Sequence, residues 1–305
     1  MKQVKYYISI ISCMLIAMSS CIKEDWSDCP DGEIVQMKFT YNGALDLEAN
    51  APAIKTVTTF VFDENDQFVT YKTWPVNGNI LDNQFDLRLP EGKYNLVSWV
   101  NLDDPYYVTP DIEQLKYAIP ADKIAGDIPF LFFGEQEIEV VKNEENTVLV
   151  PLEEITNEIR ITINGMSLAA DPYLFVIKDN NGAYTFDGDF ADCEEFSYQT
   201  TATTNPATHT IKGSMTVLKL TNDSHPYFSL IDKDGEIIPL KDQNGDWVDE
   251  IDLVALVLSQ FPDYDFSRRR VHDIEFFFDV NMNLTLKIVD WNEQEIPNIE
   301  ITPEQ

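Results

Sequence analysis

The chain is poor in the residues on which most enzymes and nucleic-acid binders depend. It has three histidines, His209, His225 and His272, none at metal-pair spacing from another histidine or a cysteine. It has no Gly-x-Ser-x-Gly elbow and no phosphate-cradling glycine loop, so nucleophilic and nucleotide-dependent chemistry lack their usual residues. Basic residues are scarce, 21 against 53 acids, for a formal net charge of −32. A surface of that sign repels nucleic acid and anionic lipid. No apolar run reaches the ~20 residues needed to cross a bilayer. The longest, Tyr6 to Met18, stops short of that.

That run has another use. Lys2 and Lys5 precede it and the small pair Ser19-Ser20 follows, the layout of an export signal. Ser19-Ser20-Cys21 is similar to a bacterial lipobox, in which the chain is cut before the cysteine and the thiol receives a diacylglyceryl group. Met18 stands where leucine is commoner. The spacing predicts lipidation at Cys21; an ordinary signal cut nearby would leave a plain thiol instead. Two or three acyl chains, each methylene contributing ~0.8 kcal/mol on burial, hold a protein at a membrane almost irreversibly. Ile22 follows the cysteine where aspartate would suggest inner-membrane retention. Lys23-Glu24-Asp25 resembles the signal that sends Bacteroidetes lipoproteins to the outer face of the outer membrane.

Loss of residues 1–20 removes Lys2 and Lys5 and leaves 19 basic residues against 53 acids. The acids are interleaved with a composition that is 44% hydrophobic and 12% aromatic, which can bury a sizeable core. The charge is therefore a solvated surface, and the length suggests about two domains. Cys13 leaves with the signal, so Cys29 and Cys193 remain as thiols in an oxidising compartment. They either pair across a long loop or stay separate, and the sequence fixes no distance between them.

Period-two alternation dominates from residue 33 onward. Val35, Met37, Phe39 and Tyr41 share one strand face, and residues 56–74 read as two strands joined by a polar turn at Asp63 to Asp66. Phe85, Leu87 and Leu89 alternate before a Pro90-Glu91-Gly92 turn. The run that follows is apolar on both faces, as in a sheet centre. Strands are also expected at 138–141 and 148–152, with a loop or at most a short helix over 110–125. A second set starts near 155 with Ile159, Ile161 and Ile163. It continues with strands at 173–179 and 215–220, a hairpin at Asp232 to Gly235, and paired strands over 274–288. Residues 249–261 are the best helix candidate, ended by Pro262. Many short strands at this spacing predict an all-β protein of two β-sandwiches meeting near residue 154.

Candidates for chemistry are few. Asp187, Asp189 and Asp192 stand close enough to converge on calcium but lack the EF-hand glycine and terminal glutamate, so a solvated acidic loop is the favoured reading. Arg268-Arg269-Arg270 is the one basic cluster, read as an exposed loop. Trp74, Trp99 and Trp291 fall in or beside strand patterns and read as core or sheet-edge residues. No catalytic residue, cofactor or metal site is assigned.

The order of these landmarks carries a resemblance. The lipobox, Asp28-Cys29-Pro30, "FVFDENDQFV" (60–69), "LPEGKYNLVSWVN" (89–101), "FLFFGEQEIEV" (130–140), "VPLEEITNEIRITING" (150–165) and the final "HDIEFFFDV" and "KIVDW" resemble the FimB-type fimbrial anchor lipoproteins of Bacteroidetes. The resemblance implies two transthyretin-like β-sandwich domains in tandem, 33–153 and 154–305, behind a signal (1–20) and a lipidated tether (21–32). It implies an outer-membrane lipoprotein that anchors a type V pilus and ends its growth through strand-addition contacts with pilin subunits. The alternative is a surface lipoprotein adhesin that binds host glycan or protein.

Overall fold

The structure, a computed structural model, describes residues 32–41, 54–78, 80, 83–102, 116–118, 124–125, 128–166, 172–185, 188, 190–191, 194–242, 244, 246–279 and 284–288. The first sandwich contains β1 (Glu33–Tyr41), β2 (Thr56–Asp63), β3 (Phe68–Pro75), β4 (Phe85–Leu89), β5 (Gly92–Val100), β8 (Phe132–Val140) and β9 (Asn146–Glu154). Between β5 and β8 come two short strands, β6 (Lys116–Ala118) and β7 (Ile124–Ala125). The second sandwich runs from β10 (Thr156–Asn164) through β11 (Tyr173–Asp179), β12 (Ala183–Thr185), β13 (Phe190–Ala191), β14 (Phe196–Asn205), β15 (Thr210–Leu218) and β16 (Tyr227–Ile231). It ends with β17 (Leu240–Lys241), β18 (Trp247–Val248), β19 (Ile251–Asp252), helix α1 (Leu253–Gln260), β20 (Val271–Phe278) and β21 (Leu284–Ile288). The chain is all-β in character, as its alternation predicts.

The first sheet has the order β3-β2-β5-β8-β9-β1-β4 and curls over itself. β8 joins β9 only through Phe132 and Phe133, opposite Glu154 and Glu153, so the sheet turns there and its two halves face one another. Val57, Val61, Leu96 and Val100 from one half meet Val35, Met37, Phe85, Leu87 and Val150 from the other in one buried cluster. β5 lies between β2 and β8, and its two faces are both covered: Leu96 and Val100 join the first sandwich's own cluster, while Val97 and Trp99 join the cluster that includes residues of the second. The second sheet repeats the plan, with the path β19-β16-β11-β14-β15-β10-β20-β21. In each sandwich the first strand pairs in parallel with a late one, β1 with β9 and β10 with β20.

Three five-residue loops share one construction. Asp63, Asp232 and Asp242 each accept, through Oδ1, the backbone N–H groups two and four residues later, at 2.8–2.9 Å. Each also donates its own N–H to the carbonyl four residues on, at 2.9 Å. The first two are the short polar turns that the sequence marks with aspartate, and in all three the side chain satisfies amides that the hairpin leaves over.

The helix is shorter than the 249–261 reading. Ile251 and Asp252 pair with β16 as β19, and Asp252 then caps α1 by accepting from Ala255 N–H at 2.9 Å. The expected 110–125 loop also differs from the observed chain, because β6 pairs with β12 and β7 runs parallel to β14. A segment that leaves the first sandwich after β5 thus extends sheets of the second. Trp99, next to last in β5, is fully buried, its ring centroid 5.1 Å from that of Phe133 and 6.1 Å from that of Tyr184 of β12. The direct junction between the sandwiches is Ile155, 5% exposed, between Glu154 and Thr156.

Candidate assembly interface

β1 is the element whose position bears most on assembly. It is an inner strand, with β4 antiparallel on one side and β9 parallel on the other. Val35, Met37 and Phe39 point into the core at 0%, 1% and 4% exposure, while Ile34 and Lys38 lie outside. The Phe39 ring meets Phe85 edge-on at 5.0 Å, and Phe85 meets Trp74 at 5.7 Å. Lys72 lies over Trp74 at 5.0 Å. Without β1, the space between β4 and β9 would be a long apolar slot with main-chain groups unpaired on both walls.

The slot is closed in this chain by its own strand. Among the described residues the edge strands of the sheet are β3 and β4, and they approach each other. Lys72 Nζ donates to the Asp86 carbonyl at 2.8 Å across the seam. A cleft lined by Ile34, Thr70, Tyr71, Lys72, Asp86, Leu87 and Arg88 runs along it.

The residues singled out in the sequence fall in several places. Cys21, Cys29 and Cys193 lie outside the described residues, as do Asp187, Asp189, Asp192 and Trp291. Trp99 is core and Trp74 is partly buried against it, matching their strand-pattern reading. The arginine cluster is not a simple exposed loop. Arg270 lies over the Phe130 ring at 4.6 Å and approaches Glu154 of the first sandwich at 3.4 Å, whereas Arg268 pairs with Asp265 at 2.9 Å near solvent. Trp247, 58% exposed with Lys241 5.4 Å from its ring, is the large surface aromatic that the strand reading did not single out.

The histidines do not converge. His209 occupies the left-handed region at φ 52°, and His225 Nδ1 lies 2.8 Å from Asp252 Oδ2. His272 is fully buried in β20, its Nδ1 2.8 Å from the Tyr264 hydroxyl. Burial pushes His272 down to about 3 and Tyr264 up to about 12. Asp179, 3% exposed, is pushed up by burial to about 6, against the N–H groups of Asn180 and Asn181 that favour its charge. These are structural groups with opposite pH signatures. A histidine with a depressed folded pKa contributes stability present above its unfolded value, near 6.5, and lost as pH falls toward 3. An aspartate with a raised folded pKa does the reverse, costing stability above about 6 and relieving the cost as pH falls toward 3.8. Asp179→Asn keeps an oxygen for the Asn180 N–H and should raise stability at pH 7.5 by on the order of 2–3 kcal/mol. The gain should vanish near pH 3.5; urea midpoints at the two pH values check it, and an equal gain at both would contradict the burial argument.

The profile of the family described as fimbrillin-A associated anchor proteins Mfa1 and Mfa2 matches residues 27–297. The chain belongs to this family. No curated protein matches it. Among solved structures, the fimbrial anchor protein Mfa2 from Porphyromonas gingivalis superposes with a TM-score of 0.63 at 18% identity, over 85% of this chain and 97% of that one. A candidate polysaccharide-binding protein from Bacteroides thetaiotaomicron gives 0.63 at 19%, over 85% and 96%. A candidate adhesin from the same species gives 0.61 at 19%, over 84% and 96%. At such identities the superpositions establish the shared fold. Membership in the fimbrillin-A associated anchor family gives the chain a fimbria-associated role. The expectation of a pilus-anchor fold from the sequence landmarks is met by the family and by the architecture.

Proposed function

We propose that the chain is a lipid-anchored outer-membrane subunit that holds a type V pilus to the cell and ends its growth. The observation that carries this reading is β1. In strand-addition assembly, a subunit with an open groove receives a strand from its neighbour. Here the groove is filled by a strand of the same chain that begins twelve residues after Cys21. Cleavage between Cys21 and β1 would separate the fold from its anchor, so a lipid at Cys21 and a closed first sandwich go together. In this reading residues 1–20 are the export signal, 21–32 the tether, and 33–153 and 154–305 the two sandwiches. Cys29 and Cys193 are the two remaining thiols and are candidates for a bridge. The role needs neither catalyst nor cofactor.

A deletion strain tests the reading. Fibres should still form but collect in the medium, longer than normal, and Cys21→Ser should give the same phenotype with loss of lipid labelling. Attached fibres of normal length in the deletion strain would sink the anchor reading. They would favour an adhesin, for which the exposed Trp247 beside Lys241 is the nearest sugar-stacking surface.

A further inference from the structure

We infer that the seam between β3 and β4 is the docking slot for the chain's own residues 22–31. The slot has three properties. It joins the two edge strands that have no further strand beside them among the described residues, it exposes apolar surface at Ile34 (45%) and Tyr71 (57%), and its lining carries Lys72 and Arg88 against the single acid Asp86. On a chain of net charge −32, a cleft with that balance selects an acidic peptide that has an apolar anchor.

Residues 22–31, Ile-Lys-Glu-Asp-Trp-Ser-Asp-Cys-Pro-Asp, are such a peptide. They hold Glu24, Asp25, Asp28 and Asp31 against Lys23, with Trp26 as the large aromatic. The entry to β1 directs them to the seam. Gly32 has φ +136°, and a Cβ there would lie 2.6 Å from the Leu89 backbone, so the chain crosses closely over the end of β4 and not over β9. Arg88, which lines the cleft, donates from Nη1 to the Gly32 carbonyl at 3.4 Å and marks the side of approach. Trp26 precedes Gly32 by six residues, a reach of ~20 Å when extended, and the cleft begins at Ile34. Because the segment is covalently attached, its effective concentration at the slot is in the millimolar range, and weak contacts suffice to seat it.

The inference extends the anchor reading by assigning the tether a seat on the fold, and it rests on that reading only in placing the mature N-terminus at Cys21. Its test needs neither pilus nor membrane. Hydrogen exchange of the full chain in detergent, read by mass spectrometry, should show amides of 24–31 at least tenfold slower than in the free peptide of the same sequence. Tyr71→Asp with Arg88→Glu should return them to the free rate. Both side chains are exposed, so the core of the first sandwich should keep its protection. Trp26→Ala should likewise return them to the free rate. Free-peptide rates in the unsubstituted chain overturn the inference. So does protection that rises with protein concentration, which would assign the slot to a second copy.

Discussion

Phe39→Asp lowers the unfolding midpoint of the chain far more than Thr40→Asp does. Phe39 is 4% exposed, packed against Phe85, in a strand with neighbours on both sides, whereas Thr40 is partly exposed on the opposite face. Removing a buried phenylalanine costs about 3–5 kcal/mol, and a carboxylate in its place adds a desolvation penalty or a forced protonation. A surface change such as Thr40→Asp is usually within about 0.5 kcal/mol. Since domains are stable by only ~5–15 kcal/mol, Phe39→Asp should open the first sandwich or make it associate through the vacated slot. Chemical denaturation and size-exclusion chromatography check the two outcomes. Small, equal shifts for both variants would mean that residues 33–41 contribute no buried face.

The second large effect is expected at Trp99. This ring is fully buried and reaches Phe133 of its own sandwich and Tyr184 of the other, inside a cluster that includes residues from both. Trp99→Ala should cost about 3–5 kcal/mol. Because the cluster is shared, the loss should appear as one shifted transition in calorimetry, with both sandwiches melting together. Two resolved transitions, only the first of them shifted, would show that the sandwiches are energetically separate.

Much of this fold is legible in the sequence because strand alternation leaves a direct mark. Val35 to Phe39, Phe85 to Leu89 and Ile159 to Ile163 bury the alternate residues that the pattern assigns. The aspartate-led turns also show plainly, since the residue type and the job coincide at Asp63 and Asp232. Other elements leave weaker marks. β14, "FSYQTTATTN", alternates only at Phe196 and Tyr198 and is otherwise largely threonine and polar, so beyond that pair its β-branched content is the clue to a strand that is partly a sheet surface. β6 and β7 are three and two residues long, and nothing local to Lys116–Ala118 or Ile124–Ala125 says that their partners lie more than sixty residues later. The parallel pairings of β1 with β9 and β10 with β20 are equally silent, because alternation fixes which face is buried and not which strand is adjacent. At the candidate interface, the filled slot follows from the Val35 to Phe39 pattern once the neighbours are known. The β3–β4 seam does not, since it depends on how far the first sheet curls.

The excursion between β5 and β8 has a mechanical consequence. The chain leaves the first sandwich after Val100, adds β6 and β7 to sheets of the second, returns at Phe132, and leaves again at Ile155. Load applied across the two sandwiches is therefore shared by three covalent crossings instead of one hinge. Pulling the sandwiches apart must strip β6 from β12 and β7 from β14 while drawing Trp99 out of its packing. A joint of that kind resists bending as well as stretch and passes load from one sandwich to the other with little slack.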